Sequence, residues 1–275
     1  EMTYNSNAIE GNRLSLKETV FVINQGMTIK GKSLKDHLEA KDHHEALEYL
    51  YDLVEHGRKN TFSELLIRSL QQLVVKETDP RSAGAYRKGM VGITGSNHKP
   101  PEAHEIPRLM RELVNFVSDN QRTMHPIELA AIVHYKVVYI HPFEDGNGRA
   151  ARLVMNLLLM RAGYPLVVIL KNDRKKYYDT LEKADKGDYV PFVRFVAQAV
   201  ERSLNIYMRA IISGGGKRGE YLPLSSISSK TPYSKKYLNL LARQGKIAAH
   251  KDGRNWVTTM KAIEQYRASR DRKRK

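Results

Sequence analysis

Apolar residues recur at helical spacing through most of the first 212 positions. Leu65, Leu66, Leu70 and Leu73 form one such set, Leu109, Leu113, Phe116 and Val117 a second, and Phe192, Phe195, Val196 and Ala199 a third. Each set marks the core-facing side of an amphipathic helix. Pro107 and Pro126 stand where first-turn prolines belong, and Pro142 closes the apolar run that ends at Ile140, because proline disfavours helical geometry in the residue before it. Gly163 is a stop for the helix that starts at Arg149. Roughly eight helices are expected between residues 7 and 212. Strand character in this part is confined to residues 86–101, where Val91, Gly92, Ile93 and Thr94 precede a Gly-Ser-Asn turn. A hairpin flap is predicted there. Its exposed edge could recruit a peptide by strand addition, and the plain alternative is a surface hairpin.

Composition separates a second module. Residues 213–216, Ser-Gly-Gly-Gly, read as a flexible linker. Residues 217–275 carry 16 Lys or Arg against 4 Asp or Glu, a net of +12 of the chain's +16. The basicity therefore belongs to the tail, whose field attracts nucleic acid or an acidic protein. Residues 222–228 predict a short helix and residues 234–244 a second, with Tyr237, Leu240 and Leu241 buried and Lys235, Lys236, Asn239 and Arg243 outward. Residues 247–258 predict a hairpin with Asp252-Gly253 at its tip and Arg254 beside it, residues 260–266 a closing helix, and residues 270–275 a disordered charged tail.

Residues 141–152 read His-Pro-Phe-Glu-Asp-Gly-Asn-Gly-Arg-Ala-Ala-Arg. His141 is held at a helix end and is a general-base candidate, since an imidazole titrates near neutrality. Gly146 and Gly148 can adopt backbone angles closed to other residues, so their turn can aim N–H groups inward at the start of the next helix, where anions bind. Arg149, Arg152 and Asn156 follow along one helix face. Asp145 is suited to a divalent ion bridging phosphate oxygens. Base, carboxylate, anion nest and two arginines within twelve residues point to a nucleotide polyphosphate and to direct transfer onto a hydroxyl. His134 and His141 with Asp145 are a weaker reading as a transition-metal cluster.

This segment resembles the Fic family pattern His-x-Phe-x-(Asp/Glu)-Gly-Asn-Gly-Arg-x-x-Arg at every fixed position. The resemblance implies an all-α Fic core with a β-hairpin flap, preceded by an N-terminal extension. It also implies transfer of AMP from ATP to a Ser, Thr or Tyr hydroxyl of a target protein, with release of pyrophosphate. His141 would be the base, Asn147 a catalytic partner, Asp145 the Mg2+ ligand and Phe143 the anchor of the loop. Gly146, Asn147 and Gly148 would line the anion hole, Arg149 and Arg152 would bind the β- and γ-phosphates with Asn156 nearby, and Tyr177 or Tyr178 would stack on adenine. Glycine at 148 places the chain with the AMP-transferring branch; the kinase-like branch has lysine. Ser6-Asn-Ala-Ile-Glu10-Gly11-Asn12 resembles the family's inhibitory helix, in which the glutamate pairs with the second motif arginine, here a bidentate Glu10 to Arg152 contact. The alternative is an N-capped surface helix.

The expected organisation is an extension with inhibitory helix and flap over 1–105, a catalytic core over 106–212, the linker 213–216, and a module over 217–275. From residue 233 to 266 that module resembles winged helix-turn-helix domains of the excisionase type, which implies a second helix in the DNA major groove. The alternative is a solvated or protein-docking face. The chain has no cysteine, which excludes disulfides and thiolate metal sites. No membrane span or signal peptide is apparent, so a cytoplasmic location is expected. Two further readings compete with an autoinhibited transferase: a DNA-binding regulator that uses the core as a nucleotide sensor, and removal of AMP by the same site. A homodimer is expected only by analogy with relatives.

Overall fold

The computed structural model describes residues 1–56, 62–93, 98–214, 222–244, 246–247, 249–252 and 255–272. It divides into two compact units, Glu1–Tyr207 and Met208–Lys275. The described residues of the first unit are mainly helical. The helices are α1 (Met2–Ile9), α2 (Leu16–Gln25), α3 (Leu34–Glu55), α4 (Glu64–Val74), α5 (Ile106–Asn120), α6 (Pro126–Ile140), α7 (Asn147–Arg161), α8 (Arg174–Asp185) and α9 (Val190–Gly214).

Local chemistry sets the helix ends. Ser15 with Glu18 and Ser33 with Asp36 form reciprocal capping boxes at the starts of α2 and α3, satisfying N–H groups that have no partner inside the helix. Ser63 caps α4 through the Leu66 N–H. Pro126 opens α6. Pro142 ends it, and His141 leaves the helix in the left-handed region with φ 48° and ψ 58°.

Helices α6 and α7, joined by the short loop 141–146, form the centre. Most of their side chains are buried, and apart from the polar face of α7 they are largely apolar, so other helices cover both flanks. On one flank Val133, Val137, Leu153 and Leu157 pack with Leu50, Ile67, Leu70, Val74, Met110 and Leu113 from α3, α4 and α5. On the other, Ala130, Ala131, Met155 and Leu159 pack with Ile9, Tyr177, Leu181, Phe192, Phe195 and Val196. The stretches 1–105 and 106–207 thus share one core. Phe143, fully buried in the first cluster, anchors the loop between the central helices.

The structure corrects several readings. Leu65 points outward, 69% exposed, and Ile67 takes its place in the core. Residues 86–93 and 98–101 form no regular strand, because the main-chain groups of this segment are taken by loops and side chains. Thr94 lies outside the described residues. Residues 213 and 214 continue α9, so the predicted linker is partly helical.

The second unit contains β1 (Leu222–Pro223), α10 (Leu224–Ser228), α11 (Lys235–Arg243), β2 (Ala249–Asp252), β3 (Asn255–Thr258) and α12 (Met260–Arg272). Its sheet runs β1-β3-β2, all antiparallel, with Leu222 opposite Thr258 and Asp252 opposite Asn255. Leu238, Leu241 and Ala242 face its small core with Ile227, Ile247 and Ile263. Leu240 is 47% exposed, contrary to expectation, since Leu238 occupies the inner position of α11. Helix α12 extends to Arg272, past the start of the expected disordered tail. Gly253 and Arg254 lie outside the described residues.

Leu153 lies at the centre of the larger core cluster with no exposure. Leu153→Ala is expected to lower unfolding free energy by about 2–5 kcal/mol, read from urea denaturation with an unchanged m-value.

Candidate active site

The loop 141–146 and the first turn of α7 form the site. Asn147 builds it: its Oδ1 accepts from the Phe143 N–H at 3.0 Å, and its Nδ2 donates to the Phe143 carbonyl at 2.8 Å. Both ends of the carboxamide are committed to closing the loop, so its side chain holds the turn and is not free for the reacting groups. Gly146 caps α7 with φ 81°, and a Cβ there would come within 2.9 Å of Val75. Gly148 is not conformationally special, contrary to expectation. What it supplies is space, because a Cβ would collide with the Glu10 carboxylate. The N–H groups of this first turn lack intrahelical partners and carry the positive end of the helix dipole.

Two arginines deepen that positive site, and both are almost fully buried. Arg149 donates to the Val74 carbonyl at 3.2 Å and lies 3.2 Å from Asp145 and 3.8 Å from Glu39. Arg152 donates through Nε to Ser6 Oγ at 2.9 Å, and through Nη2 to the Ser6 carbonyl and to Glu10 Oε1, both at 2.8 Å. The Glu10 contact is single, not the bidentate fork expected. The Nε of Arg149 and the Nη1 of Arg152 are buried without a hydrogen-bond partner. Unsatisfied buried donors of charged groups are costly, so both guanidiniums keep donor capacity that the protein itself does not use.

Ser6 and Glu10, one turn apart at the end of α1, both contact Arg152; the resemblance implied the Glu10 contact, and the Ser6 contacts were not foreseen. Gly11, with φ 102°, turns the chain away. Asn12 donates to the Asp36 carbonyl at 2.9 Å and to Glu39 Oε2 at 2.8 Å, which fastens the end of the helix to α3. The adjacent carboxylate of Asp145 is half-exposed; its Oδ1 accepts from the Gly146 N–H at 2.6 Å.

The His141 ring nitrogen Nδ1 lies 3.3 Å from the Val138 carbonyl. With its proton donated there, Nε2 is left as a lone-pair acceptor. Burial lowers the His141 pKa to about 4, and the Arg87 cation pushes in the same direction. At neutral pH the imidazole is therefore unprotonated, the state a base requires.

Other expected residues play different parts. Asn156 is wholly satisfied: it donates to the Arg152 and Val167 carbonyls at 2.9 Å and accepts from the Val167 N–H at 2.7 Å. It braces α7 against the chain after it and faces no phosphate. Tyr177 is buried in the core, with its hydroxyl 3.1 Å from His134 Nε2. That places His134 in the core as well. Tyr178 instead lines a pocket of about 120 Å³ with Ile93, His98, Tyr135, Tyr139 and Asp185. Val138, whose carbonyl holds His141, also borders it. Of the four flap residues expected to dock a target, Val91, Gly92 and Ile93 are described, and among these three Ile93 alone lines this pocket. Among the described residues no group of three His, Asp or Glu side chains is arranged to hold a metal ion.

Sequence reasoning missed Gln71, Glu39 and His43. Gln71 donates to the Asp145 carbonyl at 2.9 Å and accepts from the Gly84 N–H at 2.6 Å, a tie between α4, the motif loop and the base of the flap. These residues sit on helix faces whose local pattern resembles any core or capped position.

The Fic/DOC family model matches residues 61–159. A Fic domain containing signaling protein from Bacteroides thetaiotaomicron is similar in structure, with a TM-score of 0.71, 32% identity, and coverage of 80% of this chain and 88% of that one. The chain belongs to the Fic/DOC family. Fic-1 from C. elegans gives a TM-score of 0.72 at 36% identity, covering 78% of this chain and 63% of that chain. In sequence, the protein adenylyltransferase Fic of Nematostella vectensis is 41% identical over 207 residues, 74% of this chain and 48% of the relative. This Fic chain spans about half the length of that curated relative.

His43 and His134 are fully buried, and burial, aided by the Arg152 cation, lowers both to about 3. With His141, all three folded values lie below the ordinary 6.5. Between about pH 6.5 and 4 the unfolded chain therefore binds more protons than the folded one, and stability is lost as the pH is lowered. The melting temperature is expected to be flat above about pH 7 and to drop steadily from 6.5 to 4. His43→Gln should make that slope shallower, whatever it does to the value at neutrality; an unchanged slope would refute the assignment.

Proposed function

We propose that this Fic protein transfers AMP from ATP to a Ser, Thr or Tyr hydroxyl of a target protein, and that Glu10 on α1 inhibits it in cis. The observation that carries this reading is a neutral His141, its Nε2 free to accept, in the same loop as a helix N-terminus flanked by two buried arginines with unsatisfied donors. Sequence relatives are named protein adenylyltransferases. The β- and γ-phosphates would be bound by Arg149, Arg152 and the first-turn N–H groups, and the nucleoside would take the pocket beside Tyr178. His141 Nε2 removes the proton of the target hydroxyl. The hydroxyl oxygen forms a bond to the α-phosphorus, the bond from that phosphorus to the β-phosphate oxygen breaks, and pyrophosphate leaves with the electron pair.

Asp145 fits a Mg2+ ligand in its donor chemistry: a half-exposed carboxylate beside the phosphate site, which would share the ion with phosphate oxygens and water. Bound there, Mg2+ would neutralise phosphate charge. Glu10 acts as a brake because its carboxylate takes an Arg152 donor and places negative charge where a phosphate oxygen would go. The target strand is proposed to dock on the flap around Val91 and Ile93. Self-association is proposed only by analogy with relatives.

A second activity is proposed for residues 208–275. Helix-helix-hairpin-helix order with a third sheet strand supports a winged helix-turn-helix reading, and α11 presents Lys235, Lys236 and Arg243 outward, with Asn239 part-exposed. Such a face suits the phosphates and base edges of a DNA major groove. No described helix is long and apolar enough to cross a membrane.

Two experiments test these readings. With ATP labelled in the α-phosphate and Mg2+, autolabelling is expected in Glu10→Gly but not in wild type, and adding His141→Ala should slow it by about 100- to 10,000-fold. Equal labelling of wild type and Glu10→Gly would overturn inhibition by Glu10; no labelling in any variant despite ATP binding would favour a nucleotide sensor or AMP removal. For the second unit, fluorescence anisotropy with a random DNA duplex should show salt-sensitive binding that Lys236→Glu/Arg243→Glu weakens about tenfold or more. Identical binding by both proteins would exclude α11 as the contact.

A further inference from the structure

Arg87 stands at the base of the flap, 3% exposed, and its donors converge on two separate pieces of the site. Nε donates to the His141 carbonyl at 2.8 Å and the backbone N–H to the Pro142 carbonyl at 2.9 Å. Nη1 donates to the Gly89 carbonyl at 2.7 Å and Nη2 to the Pro101 carbonyl at 2.5 Å. One guanidinium thus grips the base-bearing loop, the entry of the flap and its exit. The carbonyl it holds belongs to the only non-glycine residue with positive φ among those described, His141 at 48°. That conformation is sparsely populated for a residue with a side chain and persists only when its surroundings over-determine it. Arg87 is part of what does so.

The fork matters as much as the charge. Three carbonyls in three directions suit a planar guanidinium with five fixed donors, whereas a lysine offers one ammonium point that cannot reach all three. Glu144 and Glu102 add favourable charge at longer range. The titratable and charged groups acting on the imidazole are Arg87, Glu10 and His98.

We infer that Arg87 is a positioning residue that locks the His141 base to both stems of the flap, so that a target segment laid on the flap arrives in register with that base. This rests on the AMP-transfer reading and deepens it. It makes the flap and the base one mechanical unit: a displacement of the flap stems is transmitted to His141 through a single side chain.

The test compares Arg87→Lys and Arg87→Ala, each in the Glu10→Gly background, using ATP labelled in the α-phosphate. Arg87→Lys keeps the charge and loses the fork, so it is expected to lower the rate of autolabelling about tenfold or more while KM for ATP stays within about threefold. NMR titration of His141 adds a readout independent of turnover. Its pKa should stay low in Arg87→Lys and rise in Arg87→Ala, because loss of the neighbouring cation removes one of the forces holding it down. Full autolabelling rate in Arg87→Lys would overturn the inference, as would a rate loss matched by an equal loss of ATP affinity. Should Glu10→Gly itself transfer nothing, the AMP-transfer reading fails, and the inference is then decided by amide hydrogen exchange in Arg87→Lys. Joint loosening of residues 86–93 and 141–147 supports the lock, and loosening of one alone or of neither refutes it.

Discussion

Two guanidiniums buried at the positive end of α7 set the terms for the rest of the site. Arg149 and Arg152 stand 2% and 1% exposed in their side chains, at a helix N-terminus whose own dipole has the same sign. Such an arrangement is tolerated only where acceptors are close, because an uncompensated buried charge is severely unfavourable. Each acceptor around them follows from that need: the Val74 carbonyl and the carboxylates of Asp145 and Glu39 for Arg149, and Ser6 and Glu10 for Arg152. The N-terminal helix is therefore bound to the core by electrostatics as well as by Ile9.

The same need bears on the inhibition proposed for Glu10. Arg152 stays paired with Glu10 at one donor and keeps another, Nη1, unsatisfied. The Glu10 side chain is about one-third exposed, so its grip falls short of the roughly 3–5 kcal/mol associated with breaking a fully buried pair. In the proposed reaction, a polyphosphate would bring more charge and more acceptor oxygens to the same arginines. Gly148 adds a steric condition: the carboxylate approaches this closely only because no side chain stands at that position.

Around this centre the scaffold is rigid where chemistry needs it. Asn147 and Gln71 fix the loop through its main chain, Phe143 pins it in the core, and Arg87 ties it to the flap. Four side chains from different parts of the chain therefore determine where the His141 imidazole sits. Burial then keeps that imidazole unprotonated at neutral pH.

Most helices were legible in the sequence because their causes are local: apolar spacing at three and four, and prolines at first turns and after Ile140; the capping boxes at Ser15 and Ser33 were seen only in the structure. The loop 141–152 was legible because base, carboxylate, glycines and arginines are contiguous. Tertiary structure decided what local pattern could not. Glu10 meets Arg152 across 142 positions and Arg87 reaches His141 across 54, and no periodicity encodes contacts between such distant faces. Asn156 and Tyr177 carried the right chemistry at plausible positions, yet packing turned them toward the Val167 backbone and the His134 ring. Among the described flap residues, β-prone side chains did not make a strand, because β-propensity is realised only where the tertiary context supplies packing neighbours. Which polar groups remain unsatisfied is set only once the whole core has closed and every other donor has found its acceptor.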